Sequence, residues 1–111
     1  MNIKWTKEFP AAITICDTEG KIIEMNNKSA EIFINDGGYQ LLGKNLFDCH
    51  SENSTSIIKE LIAENKTNVY TIEKGGIKKL IYQSPWYENG SLKGLVELSI
   101  EIPFDMPHHK R

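Results

Sequence analysis

Residues 9–33, FPAAITICDTEGKIIEMNNKSAEIF, decide the fold, because two short apolar runs flank a polar turn there. The first run alternates in the manner of a half-buried strand, with Ile13 and Ile15 on one face. The second run, at 22–25, follows a DTEG turn in which Gly20 can adopt a positive φ angle. Two short strands joined by such a turn predict a β-hairpin.

The sequence after the hairpin predicts a short helix and then a longer one. An asparagine, Asn26 or Asn27, can cap the short helix through KSAEIF. In the stretch SENSTSIIKELIAEN the apolar residues repeat with helical spacing, so one face should be buried. We therefore expect the longest helix to run from Glu52 to about Asn65. Its buried residues should be Ile58, Leu61 and Ile62.

The remainder of the sequence predicts a three-stranded meander. Glycines at 75–76 and the Asn89-Gly90 pair are turn signals between β-branched and aromatic runs. Pro85 restricts its strand to an edge, a bulge or a strand end. The last strand, LVELSIEI, alternates clearly, and we expect its apolar set to face the helices. Hairpins at both ends that share one sheet, with helices on one face, define an α+β domain.

Composition excludes several classes of protein. The 111 residues suit one domain, and 40% hydrophobic with 25% charged residues excludes a disordered chain or a disulfide scaffold. Thirteen basic against fifteen acidic residues predict no nucleic-acid partner. The sequence contains no apolar run of ~20 residues, so no membrane span is predicted. Two cysteines and no export signal predict reduced thiols and a cytoplasmic location.

The stretch FDCHS places candidate catalytic groups side by side, including Cys49 and His50. Neighbours in sequence rarely face one another, so a cysteine-dependent enzyme is only an alternative hypothesis. His50 precedes the long helix and could ligate haem iron, make a polar pocket contact, or bond its own loop. No C-x-x-C or H-x-x-x-H spacing is present, so no metal site is predicted.

The ordered set of motifs resembles the PAS domain family. Residues 9–33 resemble its opening, LLGKNLFDC resembles the segment before its long helix, and IYQSPWYENGSLKGLVELSIEI resembles its closing hairpin. The stretch FDCHSENS also resembles a PAS subgroup found alone or with hemerythrin-like proteins. The resemblance implies a five-stranded antiparallel sheet with helices on one face and a small cavity. It places the domain at residues 9–102, with an N-terminal segment at 1–8 and a proline-interrupted tail at 103–111.

The resemblance implies a non-enzymatic sensor or interaction module and lets cofactors be weighed. Flavin photosensors of the family carry G-x-N-C-R-F-L-Q; Gly43 and Asn45 match, but Leu46 stands at the cysteine position, which argues against a photoadduct. Haem-binding members use a histidine within the long helix, where this chain has none. Haem binding through His50 is therefore kept as an alternative. The main expectation is a small organic ligand or a protein partner.

The expected pocket and partner surfaces follow from the assumed strand faces. The candidate pocket residues are Ile13, Ile15, Ile23, Phe33, Leu46, Ile58, Tyr82, Leu98 and Ile100. The residues expected on the outer sheet face are Ile81, Tyr87 and Leu95, and apolar residues there predict a homodimer, helped by Trp5 and Phe9. Prolines at 103 and 107 discourage a helix after the last strand, so signalling to a partner protein in trans is expected.

Overall fold

A five-stranded antiparallel sheet is the frame of the computed structural model, which describes residues 4–46 and 52–111. The strands are β1 (Ala12–Asp17), β2 (Ile22–Met25), β3 (Asn68–Lys74), β4 (Ile77–Glu88) and β5 (Ser91–Ile102). The helices are α1 (Asn27–Ile32) and α2 (Glu52–Glu64), with 3-10 turns at Ile34–Asp36 and Gly38–Leu41. This confirms the predicted α+β fold with one antiparallel sheet.

The strand order β2-β1-β5-β4-β3 joins the N-terminal hairpin to the C-terminal meander. The β1 and β5 strands pair in the centre, with Ile13 opposite Leu98, and β4 pairs with β5 so that Tyr82 is also opposite Leu98. The closure of the sheet therefore depends on a pairing between segments about 80 residues apart, which no local signal specifies.

The first hairpin turn is held by its aspartate. The Asp17 carboxylate accepts hydrogen bonds from the backbone N–H groups of Glu19 and Lys21, both at 2.9 Å. Gly20 adopts a φ of +86°, a conformation that costs glycine nothing. The D-x-x-G turn predicted from the sequence is thus present. The Asp17 side chain serves as the acceptor for backbone N–H groups of the turn.

The β4 and β5 strands carry two local features that the sequence signals. Pro85 lies beyond Gln83, the last β4 residue paired with β3, so its missing N–H leaves no ladder bond open on that side. Gly94 has a φ of +150°, and a Cβ there would lie 2.7 Å from the Asp17 Cα. The close approach of β5 to β1 requires glycine at this position.

The core lies between the sheet and α2. Ile58, Leu61 and Ile62 are all buried, which confirms the predicted helix face. They pack in one cluster that includes Cys16 of β1 and Leu95 of β5. The core therefore occupies one end of the sheet's inner face, the face that the helices cover.

The expected assignment of the strand faces was wrong. Leu95 is 2% exposed within the helix-side core, and Ile81 is buried on the same face. The Tyr87 hydroxyl donates to Asn65 at the end of α2, 3.1 Å away, so it too lies towards the helices. Because side chains alternate along a strand, Leu98 and the apolar residues two positions before and after it, Val96 and Ile100, lie on the outer face. The prediction grouped the alternating residues of β5 correctly, but it assigned each group to the wrong face of the sheet.

Candidate functional site: a cavity with a polar row between α1 and the sheet

The inner face of the sheet carries a row of polar residues across four strands. The register aligns Asn68 of β3, Gln83 of β4, Glu97 of β5 and Thr14 of β1. The Asn68 amide donates to the Gln83 carbonyl at 3.0 Å, and the Gln83 amide donates to the Glu97 carboxylate at 2.9 Å. Gln83 is 5% exposed, so both ends of its amide need these partners. The row is fixed by its own hydrogen bonds.

Helix α1 attaches to this row through a pair of hydroxyl groups. Thr14 and Ser29 share a hydrogen bond of 2.5 Å, and both residues are buried. Because a buried hydroxyl without a partner costs free energy, the pair fixes the distance between α1 and β1. The end of the helix, Ile32 and Phe33, then lies over the neighbouring part of the sheet.

A cavity of about 240 Å³ opens between the end of α1 and the sheet. Its apolar wall includes Phe33, Ile72 and Ile81. Its polar groups come from Tyr70, Lys74, Lys79, Glu97 and Ser99. A cavity with an apolar wall and a few convergent polar groups is typical of a small-molecule site, and this one lies just below the usual size range.

The charged groups of the cavity lie towards opposite ends. Glu97 belongs to the polar row, whereas Lys79 lies four residues along β4 from Gln83, a Cα separation of about 13 Å. No ion pair joins Glu97 to a lysine within the described ranges 4–46 and 52–111. Burial, and secondarily the charge of Glu97, raises the pKa of Tyr70, so its hydroxyl stays protonated at neutral pH.

The structure distributes the sequence-predicted pocket residues over four places. Phe33 lines this cavity. Leu46 and Ile58 are buried in the core cluster beside it. Ile23 is exposed and lines a second, more open cavity of about 430 Å³ with Lys4, Lys7 and Tyr39. The register places the remaining predicted residues on the outer face: Ile13, Ile15, Tyr82, Leu98 and Ile100.

Residues of the polar row were missed because their signal was interpreted as solvent exposure. Glu97 and Ser99 alternate with apolar residues in β5, and such a polar set normally faces water. The signal that could have identified them is Gln83, a polar residue within the β-branched and aromatic run of β4. A polar residue flanked in this way, opposite a glutamate, indicates a polar lining.

Asn26 connects the N-terminal segment to α1. Its side-chain oxygen accepts from the N–H groups of Ile13 and Ser29, at 2.9 and 3.0 Å, and caps the helix. Its amide nitrogen donates to the carbonyl oxygens of Thr6 and Ala11, at 3.0 and 2.7 Å. The prediction of an asparagine cap is confirmed at Asn26, which also holds the segment before β1.

Other candidate chemistry lies apart from the cavity. Cys16 is a buried free thiol, and burial raises its pKa from 9.0 to about 11. Cys49 and His50 lie outside the described residues, and neither His108 nor His109, the two described histidines, lines a cavity. Within residues 4–46 and 52–111 no group of three potential ligands could hold a metal ion. None of the described helices is long and apolar enough to span a membrane.

Comparison with solved structures identifies the fold. The chain has a TM-score of 0.67 and 21% identity to the PAS domain of the histidine kinase ThkA, covering 81% of this chain and 97% of that one. It is also similar to the Aer2 receptor of Vibrio cholerae, described as a dual PAS-heme oxygen sensor (TM-score 0.62, 17% identity, coverage 84% and 95%). The chain is also similar to the VqmA dimer of Vibrio cholerae, with a TM-score of 0.69 and 11% identity. This match covers 89% of this chain and 49% of that one.

The α+β sheet with helices on one face is thus the PAS fold, as the sequence motifs predict. Neither the protein-family models nor the curated protein sequences give a match. The likeness to solved structures defines the fold, and the function must be argued from the residues of the site.

Proposed function

We propose that this chain is a non-enzymatic PAS sensory domain that binds a small molecule in the cavity between α1 and the sheet. The observation that carries the proposal is Glu97, which lines the cavity and is held there by its hydrogen bond to Gln83, itself bonded to Asn68. Among the described residues Glu97 is a half-buried carboxylate without an ion pair, a state that a cation would stabilise. A ligand that contacts Glu97 would provide a partner for this carboxylate.

We propose further that two copies pair through the outer sheet face. Leu80, Tyr82, Val96, Leu98 and Ile100 share that face by register, and Tyr82 is 39% exposed. Antiparallel sheets normally turn their polar face to water, so an apolar outer face favours a cover. A second copy supplies the same apolar patch by two-fold symmetry, and a net charge of −2 scarcely opposes pairing. The similar structure of VqmA is described as a dimer.

Trp5 and Phe9 support the dimer proposal from the N-terminal segment. Their rings pack edge to face with centroids 5.4 Å apart, yet both side chains are exposed. Large aromatic side chains of this kind are enriched at protein interfaces. In this proposal ligand binding alters the dimer, or its contact with a signalling protein, in trans. A cytoplasmic location is supported by the free, buried Cys16 thiol.

A matched pair of variants tests the ligand cavity. Ser99→Phe fills the cavity from β5, whereas Ser91→Phe makes the same change at an exposed position at the start of the strand. Metabolite pools that raise the melting temperature of the wild type should also raise that of Ser91→Phe, but not that of Ser99→Phe. Equal shifts in both variants would contradict a ligand in this cavity.

Sedimentation measurements test the dimer. Leu98→Glu and Ile34→Glu each place a carboxylate on an apolar position, the first on the outer sheet face and the second on an exposed turn. We expect wild type and Ile34→Glu to sediment as dimers at micromolar concentration and Leu98→Glu as a monomer. A monomeric wild type at high micromolar concentration would rule out this interface.

A further inference from the structure

The charge arrangement of the cavity bears on the chemical class of the ligand, an inference that rests on the proposed ligand-binding function. Gln83 donates the only hydrogen bond that the Glu97 side chain receives in the part of the chain that the structure describes. The Gln83 amide is itself oriented by Asn68, so it cannot turn to offer Glu97 a second donor. The Glu97 carboxylate is thus held in place, and it can still accept hydrogen bonds or pair with a cation from the cavity that it lines.

A positive group is needed beside Glu97 and is not provided by the described chain. The hydroxyl of the adjacent Thr14 is bonded to Ser29, away from the carboxylate. The Tyr70 hydroxyl is close enough for Glu97 to affect its pKa, and as a neutral group it can share an ammonium ligand but cannot neutralise the carboxylate. A half-buried carboxylate gains most from a ligand cation.

The opposite end of the cavity has the complementary charge. Lys74 and Lys79 both line it, and neither has an ion pair within the described ranges. Glu101 is opposite Lys79 on β5, but it is exposed and does not line the cavity. The two lysines therefore give this end of the cavity a positive charge, and Lys79 lies four residues along β4 from Gln83, the residue opposite Glu97.

Apolar side chains separate the two charged ends. Ile72, Ile81 and Phe33 line the wall between them, and Ile81 is buried. A volume of about 240 Å³ limits the ligand to a small molecule, because it lies below the usual range for the pockets of drug-sized ligands. The cavity therefore suits a short aliphatic chain with unlike charges at its two ends.

We propose that the ligand is a small zwitterion whose ammonium group pairs with Glu97 and whose carboxylate pairs with Lys79 and Lys74, with an aliphatic spacer between them. A neutral apolar ligand would leave the Glu97 carboxylate unpaired, and a ligand with two carboxylates would be repelled by it. An α-amino acid places its two charges too close together to reach both ends of the cavity.

Four six-carbon probes separate the contributions of charge and of apolar burial: 6-aminohexanoate, hexylamine, hexanoate and 1-hexanol. Binding is followed by amide chemical shifts of the full chain, and 6-aminohexanoate should bind at least about tenfold more tightly than 1-hexanol, the gain from one charge-assisted contact. Glu97→Gln keeps an acceptor for Gln83, so the fold should be retained. It should weaken both amine probes about tenfold and leave 1-hexanol unchanged.

The reciprocal variant tests the other end. Lys79→Gln should weaken 6-aminohexanoate and hexanoate but not hexylamine. Equal affinity of all four probes, unchanged by Glu97→Gln, would overturn the zwitterion proposal while leaving a ligand cavity in place. If none of the probes shifts cavity resonances, the zwitterion proposal also fails. The proposed ligand-binding function fails as well only if metabolite pools shift wild type and Ser99→Phe equally.

Discussion

Outside the core cluster, the two faces of the sheet carry residue types opposite to those expected of a sheet with one covered face. The inner face, beneath the helices, carries the polar row that includes Gln83 and Glu97. The outer face, which no described helix covers, carries Leu98 and Ile100 on the same strand. This difference is why we propose a ligand for the helix-covered face and a second copy for the uncovered face.

The largest effect should come from placing one charge on each face of β5 in turn. Leu95→Asp introduces a carboxylate into the core beside Ile58 and should lower the free energy of unfolding by about 4 kcal/mol or more. Leu98→Asp, three residues further on the same strand, should cost about 1 kcal/mol in the monomer because Leu98 is only half-buried.

Urea unfolding at protein concentrations below and above dimer formation measures both costs. At low concentration the two variants should differ as stated, and at high concentration Leu98→Asp should lose additional stability relative to wild type. Equal costs for the two substitutions at low concentration would show that the face assignment is wrong.

The sequence predicted the elements better than their orientation. The Asp17 turn, the Asn26 cap and the buried face of α2 each depend on residues within a few positions, so local spacing was sufficient. Alternation in β5 defines two sets of residues, but it is symmetric and cannot say which set meets the helices. The usual assumption that apolar residues face the covered side then gave the wrong face for Leu98.

The candidate site could be predicted only where a helix contributes to it. Phe33 lies at the end of a well-signalled helix and was assigned to the pocket. Glu97 shares a face with Gln83 and Lys79 only because β4 pairs with β5 in one particular register. A one-residue slip of either strand would put Glu97 on the opposite face from Gln83 and Lys79, and no single residue of either strand specifies the register.

The second prediction concerns how α1 is held over the inner face. Asn26→Asp keeps the oxygen that caps the helix but loses the amide that donates to Thr6 and Ala11. The introduced carboxylate would face two carbonyl oxygens, and we expect a loss of about 3 kcal/mol at neutral pH.

The neighbouring Asn27→Asp is the control, since Asn27 is exposed and should tolerate the change within about 0.5 kcal/mol. Part of the Asn26→Asp loss should be recovered at acidic pH, where the protonated carboxyl can donate again. Chemical unfolding at two pH values measures this. Equal stability of the two variants at neutral pH would show that the Asn26 amide contributes nothing to holding the segment.

The third prediction concerns the polar row itself. Gln83→Leu removes the partner of both Asn68 and Glu97, and we expect a loss of about 2 kcal/mol because the carboxylate is left without its donor. Ser84→Ala, one residue along on the opposite face, should cost much less, because Ser84 is only half-buried and its hydroxyl bonds only to the Pro85 carbonyl and the exposed Thr67 hydroxyl among the described residues. Thermal unfolding compares the two, and a stabilised Gln83→Leu would indicate that the row is not maintained by its hydrogen bonds.

The smallest expected effect is a pH dependence at the core end of the inner face. Burial raises the pKa of Cys16 from 9.0 to about 11, because the thiolate is disfavoured in the folded protein. Below pH 9 the thiol is protonated in both folded and unfolded states and contributes no pH dependence. Between about pH 9 and 11 the unfolded state ionises first, so the free energy of unfolding falls as the pH rises.

A Cys16→Ala variant isolates this contribution from other groups that titrate in the same range, such as tyrosines and lysines. The difference in unfolding free energy between wild type and variant should be constant below pH 9 and should decrease above it. Cys16 should also resist alkylation in the folded protein at pH 8 and react on unfolding, which peptide mass spectrometry can assign to this residue. Rapid native alkylation of Cys16 would mean that this end of the inner face opens to solvent, and that α2 does not seal the core beneath the polar row.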